Sequence, residues 1–95
     1  MTNEDTLGYV ISSIRRIRKA KKVSQQELCL HAKMSQSFLA NIEAGKKEPS
    51  VMTLIRIAEA LHVNPRVFFP EPQENDEINV KNEIKKEISE LLEML

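Results

Sequence analysis

The sequence has few of the residues that build sheets, disulfides and membrane spans. It contains two glycines, three phenylalanines, one tyrosine and no tryptophan in 95 residues. Its apolar residues recur at three- and four-residue steps instead of alternating with polar ones, which indicates helices throughout. No apolar run approaches the roughly 18 residues of a transmembrane helix. The single cysteine, Cys29, has no partner for an internal disulfide, which fits a reducing compartment.

The formal net charge of the chain is zero, because 14 basic side chains balance 14 acidic ones. Taken alone, this balance argues against a nucleic-acid-binding protein, in which a basic surplus is expected. The two ends of the chain differ, however. Residues 1–70 hold 11 basic and 6 acidic side chains, whereas residues 71–95 hold 3 basic and 8 acidic ones. This division predicts two parts with different roles. The polar, acidic start lacks the features of a secretion signal, so we expect a cytoplasmic protein.

Residues 1–69 contain five helical segments. The first is an amphipathic helix of about four turns that ends near Lys21. Ser24 opens the second with a capping box closed by Glu27, and Ser35 caps a third that extends to about residue 44. The predicted inner positions are Leu7, Val10, Ile11, Ile14 and Ile17, then Leu28 and Ala32, then Leu39 and Ile42.

Turn residues delimit the last two helices of this part. Gly45 is placed to stop the third helix, and Ser50 caps the fourth. Asn64 and the proline after it open a short fifth helix, in which Phe68 is expected to join the core. The predicted buried side of the fourth helix consists of Val51, Leu54, Ile55, Ala58 and Leu61.

The acidic end divides into a linker and an amphipathic segment. Residues 70–77 are polar, acidic and proline-containing, as linkers are. Residues 78–95 predict a helix whose apolar seam of about two heptads consists of Ile84, Ile88, Leu91 and Leu95. So short a helix is marginal alone, and its seam could join a second copy, pack on its own domain or bind another protein helix. We favour dimerisation.

The most informative pattern lies in residues 24–45, where two short serine-capped helices are separated by about three residues and the second ends in Glu-Ala-Gly. Further motifs flank it in order: Ile-Arg-Arg-Ile-Arg at 14–18, Lys-Lys at 46–47, Pro-Ser at 49–50 and Leu-Ile-Arg-Ile-Ala-Glu-Ala-Leu at 54–61. Over about residues 7–69 the chain resembles the Xre/Cro and lambda-repressor helix-turn-helix family of bacterial and phage DNA-binding proteins.

The resemblance implies an all-α, five-helix, lambda-repressor-like domain over residues 1–69. Two positions depart from the family pattern. Cys29 stands where the family commonly has a small residue, which is a mild change. Lys33 stands where the family commonly has a glycine in a left-handed turn, and a lysine in that conformation costs on the order of 1 kcal/mol.

The third helix is the candidate for reading base edges in the DNA major groove. Residues near the N-terminus and outer face of such a helix reach the bases, and here they are Gln36, Ser37, Phe38 and Asn41. An amide side chain can form a bidentate pair with adenine. The resemblance implies base contacts for Gln36, Ser37 and Asn41, whereas Phe38 could touch a thymine methyl or pack against the domain.

Other residues are candidates for holding the DNA backbone. The resemblance implies a phosphate contact for Gln25 at the start of the second helix. Lys46 and Lys47 lie on the loop expected to face phosphates, Ser50 opens the next helix, and Arg16 and Lys33 add positive potential. The resemblance also implies a partly buried ion pair between Arg18 and Glu43 that links the first helix to the third.

These observations predict a dimeric, sequence-specific transcriptional regulator, a repressor or autoregulator that binds double-stranded DNA at an inverted repeat. Controller proteins of restriction–modification systems belong to the same class. The alternative is an antitoxin or anti-regulator that captures a protein through its C-terminal helix. We expect neither enzymatic activity, a cofactor nor a metal, because no catalytic set is visible and Cys29, His31 and His62 are wrongly spaced for zinc.

Overall fold

The computed structural model describes residues 2–72 and 90–94, and within these ranges it contains helices and no strand. Four α-helices follow one another as α1 (Asn3–Ala20), α2 (Gln25–His31), α3 (Gln36–Glu43) and α4 (Val51–Leu61), and a 3₁₀ helix spans Pro65–Phe68. Residues 90–93 are helical as well. The predicted all-helical class with five helices in the first part of the chain is confirmed.

All four α-helices begin at a hydroxyl side chain that accepts a hydrogen bond from the backbone N–H three residues on. The predicted caps Ser24, Ser35 and Ser50 all do so. Thr2 is a fourth cap, which the sequence analysis missed. Its hydroxyl accepts from the amide of Asp5 at 3.1 Å, and the Asp5 carboxylate accepts from the Thr2 amide at 3.2 Å. As a result α1 has 18 residues and starts earlier than its apolar stripe indicated.

Left-handed residues close the connections between the helices. Gly45 has φ +76°, as a helix stop requires, and Lys33 has φ +58°, the conformation expected of a glycine at its position. Lys22 at +59° and His62 at +58° share this conformation, which the sequence analysis did not anticipate. Each of these three non-glycine residues is strained by roughly 1 kcal/mol relative to glycine.

The core lies where α1, α2, α3, α4 and the 3₁₀ helix meet. Ile14, Leu28, Leu39, Ile57 and Phe68 are completely buried in it. Phe68 confirms its predicted core position and joins the 3₁₀ helix to α1, which packs against it. The burial of these large side chains fixes α2 and α3 relative to the rest of the domain.

The prediction for α4 was partly wrong. Val51 was expected on the buried side but is 75% exposed, and Ile55 is only half-buried, whereas Ile57, absent from the prediction, is fully buried. The inner stripe consists of Leu54, Ile57, Ala58 and Leu61, which follow steps of three, one and three residues. Val51 is the first residue of α4.

The predicted C-terminal features lie largely outside the described residues. This holds for Ile84, Ile88 and Leu95 of the apolar seam and for residues 73–77 of the linker. Leu91 is described and is 64% exposed, and Leu92 and Met94 are exposed beside it. Within the described ranges, no helix has the length and apolar character needed to cross a bilayer.

Candidate nucleic-acid interface

Helix α3 turns its apolar side to the core and its polar side outward. Leu39 and Ile42 are fully buried, whereas Gln36, Ser37 and Asn41 are exposed. The Ser35 hydroxyl accepts from the amide of Phe38 at 3.1 Å and lies 3.5 Å from the Ser37 hydroxyl. Three of the four predicted base-contacting side chains therefore lie on one free face at the start and middle of a short, capped helix.

Phe38, the fourth predicted base contact, is half-buried. This burial is compatible with both roles that the sequence left open, contact with a thymine methyl and packing against the domain. The ammonium of Lys47 lies 4.9 Å from the centroid of its ring, a cation–π contact. This contact holds the loop after α3 against the first turn of α3. Lys47, predicted only as a phosphate contact, therefore also touches a predicted base-contacting residue.

The loop after α3 is fastened to the helix through its backbone. The carbonyl of Asn41 accepts hydrogen bonds from the amides of Lys46 at 2.9 Å and Lys47 at 3.2 Å. Gly45 makes this reversal with its positive φ. The backbones of the two lysines are therefore anchored to the same helical turn that carries the Asn41 side chain.

A buried ion pair connects α1 with α3. Arg18 donates from Nε to Oε2 of Glu43 and from Nη2 to Oε1, both at 2.8 Å, in the bidentate geometry that suits a guanidinium and a carboxylate. Its Nη1 donates to the carbonyl of Val23 at 2.9 Å. Both side chains are more than nine-tenths buried. The pair fixes the C-terminal end of α3 relative to α1.

Two predicted phosphate contacts are already hydrogen-bonded within the domain. Gln25 donates from Nε2 to Oε1 of Glu43 at 3.2 Å, which ties the start of α2 to the ion pair. A primary amide has two N–H donors, so Gln25 retains one for another acceptor. The Ser50 hydroxyl caps α4 through the amide and hydroxyl of Thr53.

The remaining predicted phosphate contacts, Arg16 and Lys33, are exposed. The carbonyl of Val23 and the second role of Gln25 in the ion-pair network were not predicted from the sequence. Sequence spacing carries no signal for the Val23 carbonyl, because any residue supplies one. In the described part of the chain, no group of histidine, cysteine, aspartate or glutamate side chains is arranged to hold a metal.

The two short helices α2 and α3, crossing over a shared core with the polar face of the second exposed, define a helix-turn-helix DNA-binding domain. Comparisons with known proteins agree. The Helix-turn-helix family model matches residues 14–68. The chain belongs to this family, and it is a DNA-binding transcriptional regulator of the Xre, lambda-repressor-like type.

Two relatives illustrate the range of the family. The chain is 36% identical over 60 residues to an uncharacterised HTH-type transcriptional regulator, y4dJ, of Sinorhizobium fredii, a match covering 63% of this chain and 78% of the relative. It is 36% identical over 84 residues to the immunity repressor protein of Bacillus phage phi105, covering 84% of this chain and 57% of the repressor.

Solved structures show the same fold. The restriction–modification controller protein C.AhdI from Aeromonas hydrophila superposes with a TM-score of 0.64 at 28% identity, over 66% of this chain and 96% of that one. A chain of the SinR protein/SinI protein complex superposes with a TM-score of 0.60 at 25% identity, over 90% of this chain and 92% of that one.

Proposed function

We propose that the chain is a dimeric repressor or autoregulator that occupies an inverted-repeat operator and catalyses no reaction. The observation that carries this proposal is the exposed polar face of α3, held rigid by the buried Arg18–Glu43 pair. Helix α3 lies in the major groove, and promoter access is blocked by occupancy alone. The similarity to a phage immunity repressor supports repression.

Base reading falls to four side chains of α3. Gln36 and Asn41 each pair with an adenine through one amide donor and one acceptor, and Ser37 contributes a less selective hydroxyl. Phe38 presents the exposed part of its ring to a thymine methyl. Lys47 stabilises the position of that ring through its cation–π contact.

Phosphate contacts set the register of the domain on the duplex. We assign them to six residues: Gln25, Lys46, Lys47, Ser50, Arg16 and Lys33. Gln25 uses the amide N–H that Glu43 leaves free, and Ser50 presents the N-terminal end of α4, whose first amides point outward. Lys46 and Lys47 reach the backbone from the loop that is anchored on Asn41.

Dimerisation is assigned to the C-terminal segment, residues 78–95, beyond an acidic linker at 70–77. Leu91, Leu92 and Met94 are exposed large apolar side chains, and such a cluster on a short helix needs a partner. A second copy meets that need, and a dimer with two copies of α3 suits an inverted repeat, whose half-sites lie about one helical turn of DNA apart.

The proposal is tested by selecting bound duplexes from a random pool and then titrating salt against the enriched sequence. We expect a palindrome with a preferred half-site spacing. Only the four cationic residues of the assigned set neutralise phosphates, up to eight per dimer. If six to eight of them do so, the log–log slope of affinity against salt is roughly −5 to −7. A slope near zero without an enriched palindrome would contradict operator binding.

The alternative function is that of an antitoxin or anti-regulator that captures another protein through the C-terminal segment. The same exposed Leu91, Leu92 and Met94 favour it, as does the likeness to a chain of a two-protein complex. Affinity purification of the tagged chain from its host distinguishes the two. One stoichiometric unrelated protein, lost when Leu91 is replaced by aspartate, favours the alternative, and recovery of the homodimer alone favours the regulator.

A further inference from the structure

The C-terminal ends of α2 and α4 border a groove of about 600 Å³. It is lined by both histidines of the chain, His31 and His62, together with Lys33, Arg56, Glu59 and two alanines. Its volume lies in the range of small-molecule sites, about 300–1,000 Å³. Two permanent positive charges and two imidazoles thus surround one carboxylate, and none of the groove residues except Lys33 belongs to the proposed DNA contacts.

Two of the lining side chains stand on strained backbone. Lys33 and His62 are two of the three non-glycine residues with positive φ in the described chain. Glycine would adopt this conformation without steric cost. Strained backbone that is retained in spite of its cost is concentrated at functional and ligand-binding positions. A left-handed residue closes the turn after each of these helices, and at both positions the chain has a basic or imidazole side chain where glycine would be unstrained.

Backbone amides, not the basic side chains, satisfy five of the carbonyls at the ends of the two helices. The carbonyls of Leu28, Cys29 and Leu30 at the end of α2 accept hydrogen bonds from backbone amides of the following turn. At the end of α4, the carbonyls of Ala58 and Glu59 accept from the amides of Val63 and His62. The one salt bridge of the described residues is the Arg18–Glu43 pair, so Lys33 and Arg56 are available to an outside ligand.

We propose that this groove binds a small hydroxylated oxyanion, a carboxylate or phosphate ester of the size of a metabolite. The Arg56 guanidinium is suited to a bidentate contact with the anion, and Lys33 adds a point charge. The imidazoles of His31 and His62 supply N–H donors, and Glu59 accepts from a hydroxyl of the ligand.

The proposed ligand lowers the affinity for DNA. Lys33 lies in the turn before α3 and is also one of the assigned phosphate contacts, so an anion that holds its ammonium withdraws it from the DNA backbone. This regulatory part rests on the proposed function, whereas binding of the anion does not. Anion binding and its effect on DNA affinity are measured separately.

Binding is tested by two-dimensional ¹H–¹⁵N NMR of the full-length chain without DNA. Inorganic phosphate and citrate are the probes, and ionic strength is held constant with sodium chloride. We expect saturable shifts of the amides of residues 31–33 and 59–62, and the probe with the lower Kd identifies phosphate or carboxylate as the preferred anion. Shifts that sodium chloride reproduces, or that are largest at Lys46 and Lys47, would overturn the proposal.

A pair of arginine variants separates a specific contact from general charge. Arg56→Gln should raise the Kd for the preferred probe about tenfold, the effect of losing a charged hydrogen bond. Arg66→Gln removes the same charge from an exposed position outside the groove and should leave the Kd unchanged. Equal weakening by both variants would mean charge screening and would overturn the proposal.

Glycine variants separate binding from stability. His62→Gly should raise the Tm by a few degrees, because it relieves the left-handed strain, and should weaken phosphate or citrate binding severalfold. Lys22→Gly relieves the same strain outside the groove and should raise the Tm without changing the Kd. Undiminished anion binding by His62→Gly would contradict the site.

The regulatory part is tested on the DNA that selection enriches. At constant ionic strength, saturating probe should weaken binding of that DNA by the wild-type chain. Because it withdraws one Lys33 from each copy of the dimer, it should reduce the magnitude of the salt slope by about two. An unchanged slope at saturating probe would overturn the regulatory part. If no DNA is enriched, the proposed function fails, while the NMR result still decides whether the groove binds the anion.

Discussion

At the scale of single residues, the Arg18–Glu43 pair determines how α3 is held. Four hydrogen bonds converge on it, from Arg18 to Glu43 and to the Val23 carbonyl and from Gln25 to Glu43. Within the described residues no buried side-chain nitrogen or oxygen lacks a partner. A buried charge that keeps all its partners is tolerated, but one that loses its counter-ion is costly. The position of α3 therefore depends on both members of the pair.

Removing the carboxylate should destabilise the fold strongly. Glu43→Ala leaves the Arg18 guanidinium buried without its counter-ion, and we expect a loss of about 3–5 kcal/mol in the free energy of unfolding, measured by urea denaturation. Glu48→Ala, at an exposed loop position, is the control and should change it by less than about 0.5 kcal/mol. A loss below 1 kcal/mol for Glu43→Ala would show that the pair does not hold the domain together.

The division between base and phosphate contacts is also a matter of single residues. Gln36→Ala should cost roughly 1–3 kcal/mol of binding free energy at its own base pair and leave other positions unaffected. Lys46→Ala should weaken binding to all sequences about equally. Fluorescence anisotropy with a set of single-base variants of the selected DNA measures both. Identical profiles for the two variants would refute the assignment.

Lys47 is both a proposed phosphate contact and a neighbour of a proposed base-contacting residue. Its ammonium lies over the Phe38 ring, so Lys47→Ala removes a phosphate contact and the support of a base-contacting ring together. A phosphate contact alone would give uniform weakening for this variant. The contact now predicts an added loss at the thymine next to Phe38, measurable in the same set of duplexes. Lys46→Ala provides the comparison, and uniform weakening by both lysine variants would show that the ring is held without Lys47.

At the scale of elements, the loop after α3 is hydrogen-bonded to α3 through its backbone. The side chain of Asn41 faces the DNA bases in the proposed complex. Its backbone carbonyl accepts hydrogen bonds from the amides of Lys46 and Lys47. Gly45 allows this because its φ of +76° costs a glycine nothing. The register between base and phosphate contacts thus depends on the conformation of one turn residue.

The two glycines of the chain should respond to alanine with opposite signs. Neither has a neighbour within 4 Å of the added Cβ, so only backbone conformation matters. Gly45→Ala forces a left-handed alanine and should lower the free energy of unfolding by about 1 kcal/mol. Gly8→Ala, inside α1, should raise it by about 0.5–1 kcal/mol. Thermal denaturation measures both, and effects of the same sign would contradict this account.

At the scale of the whole molecule, the charges are unevenly distributed along the sequence, with 11 basic and 6 acidic side chains in residues 1–70 and 3 basic and 8 acidic ones in residues 71–95. The basic part coincides with the helical domain, and the acidic part begins where that domain ends. Among the described residues, the main core cluster lies between Val10 and Phe68. A chain that ends at Pro72 therefore retains the whole cluster and should fold.

Truncation after Pro72 should weaken dimerisation without unfolding the domain, because it removes the apolar seam. Analytical ultracentrifugation at micromolar concentration should give a dimer mass for the full chain and a monomer mass for the truncated one. Leu91→Asp in the full chain should act in the same direction, and Glu90→Lys, also exposed, serves as its control. An unchanged mass after truncation would place the dimer interface on the helical domain.

The local features of the fold were predictable because they depend on neighbours in sequence. Helix starts are indicated by the capping serines Ser24, Ser35 and Ser50, and a helix end is indicated by Gly45. The helix cap at Thr2 was not predicted, because its partner Asp5 was interpreted only as part of an acidic terminus. The error at Val51 has another cause, since helical period alone does not show where the neighbouring helices stop covering a face. Which α4 residues are buried depends on α2 and the 3₁₀ helix.

The sequence by itself determined the helical class, the helix-turn-helix spacing and the candidates for base contact, because caps, stops and apolar period act over three to seven residues. Only the tertiary structure decided which atoms meet over long separations. It joined Gln25 to Glu43, placed Lys47 on Phe38 and brought His31 and Lys33 beside Arg56 and His62. The physical reason is that such contacts depend on how the helices pack around the shared core, which local spacing does not specify.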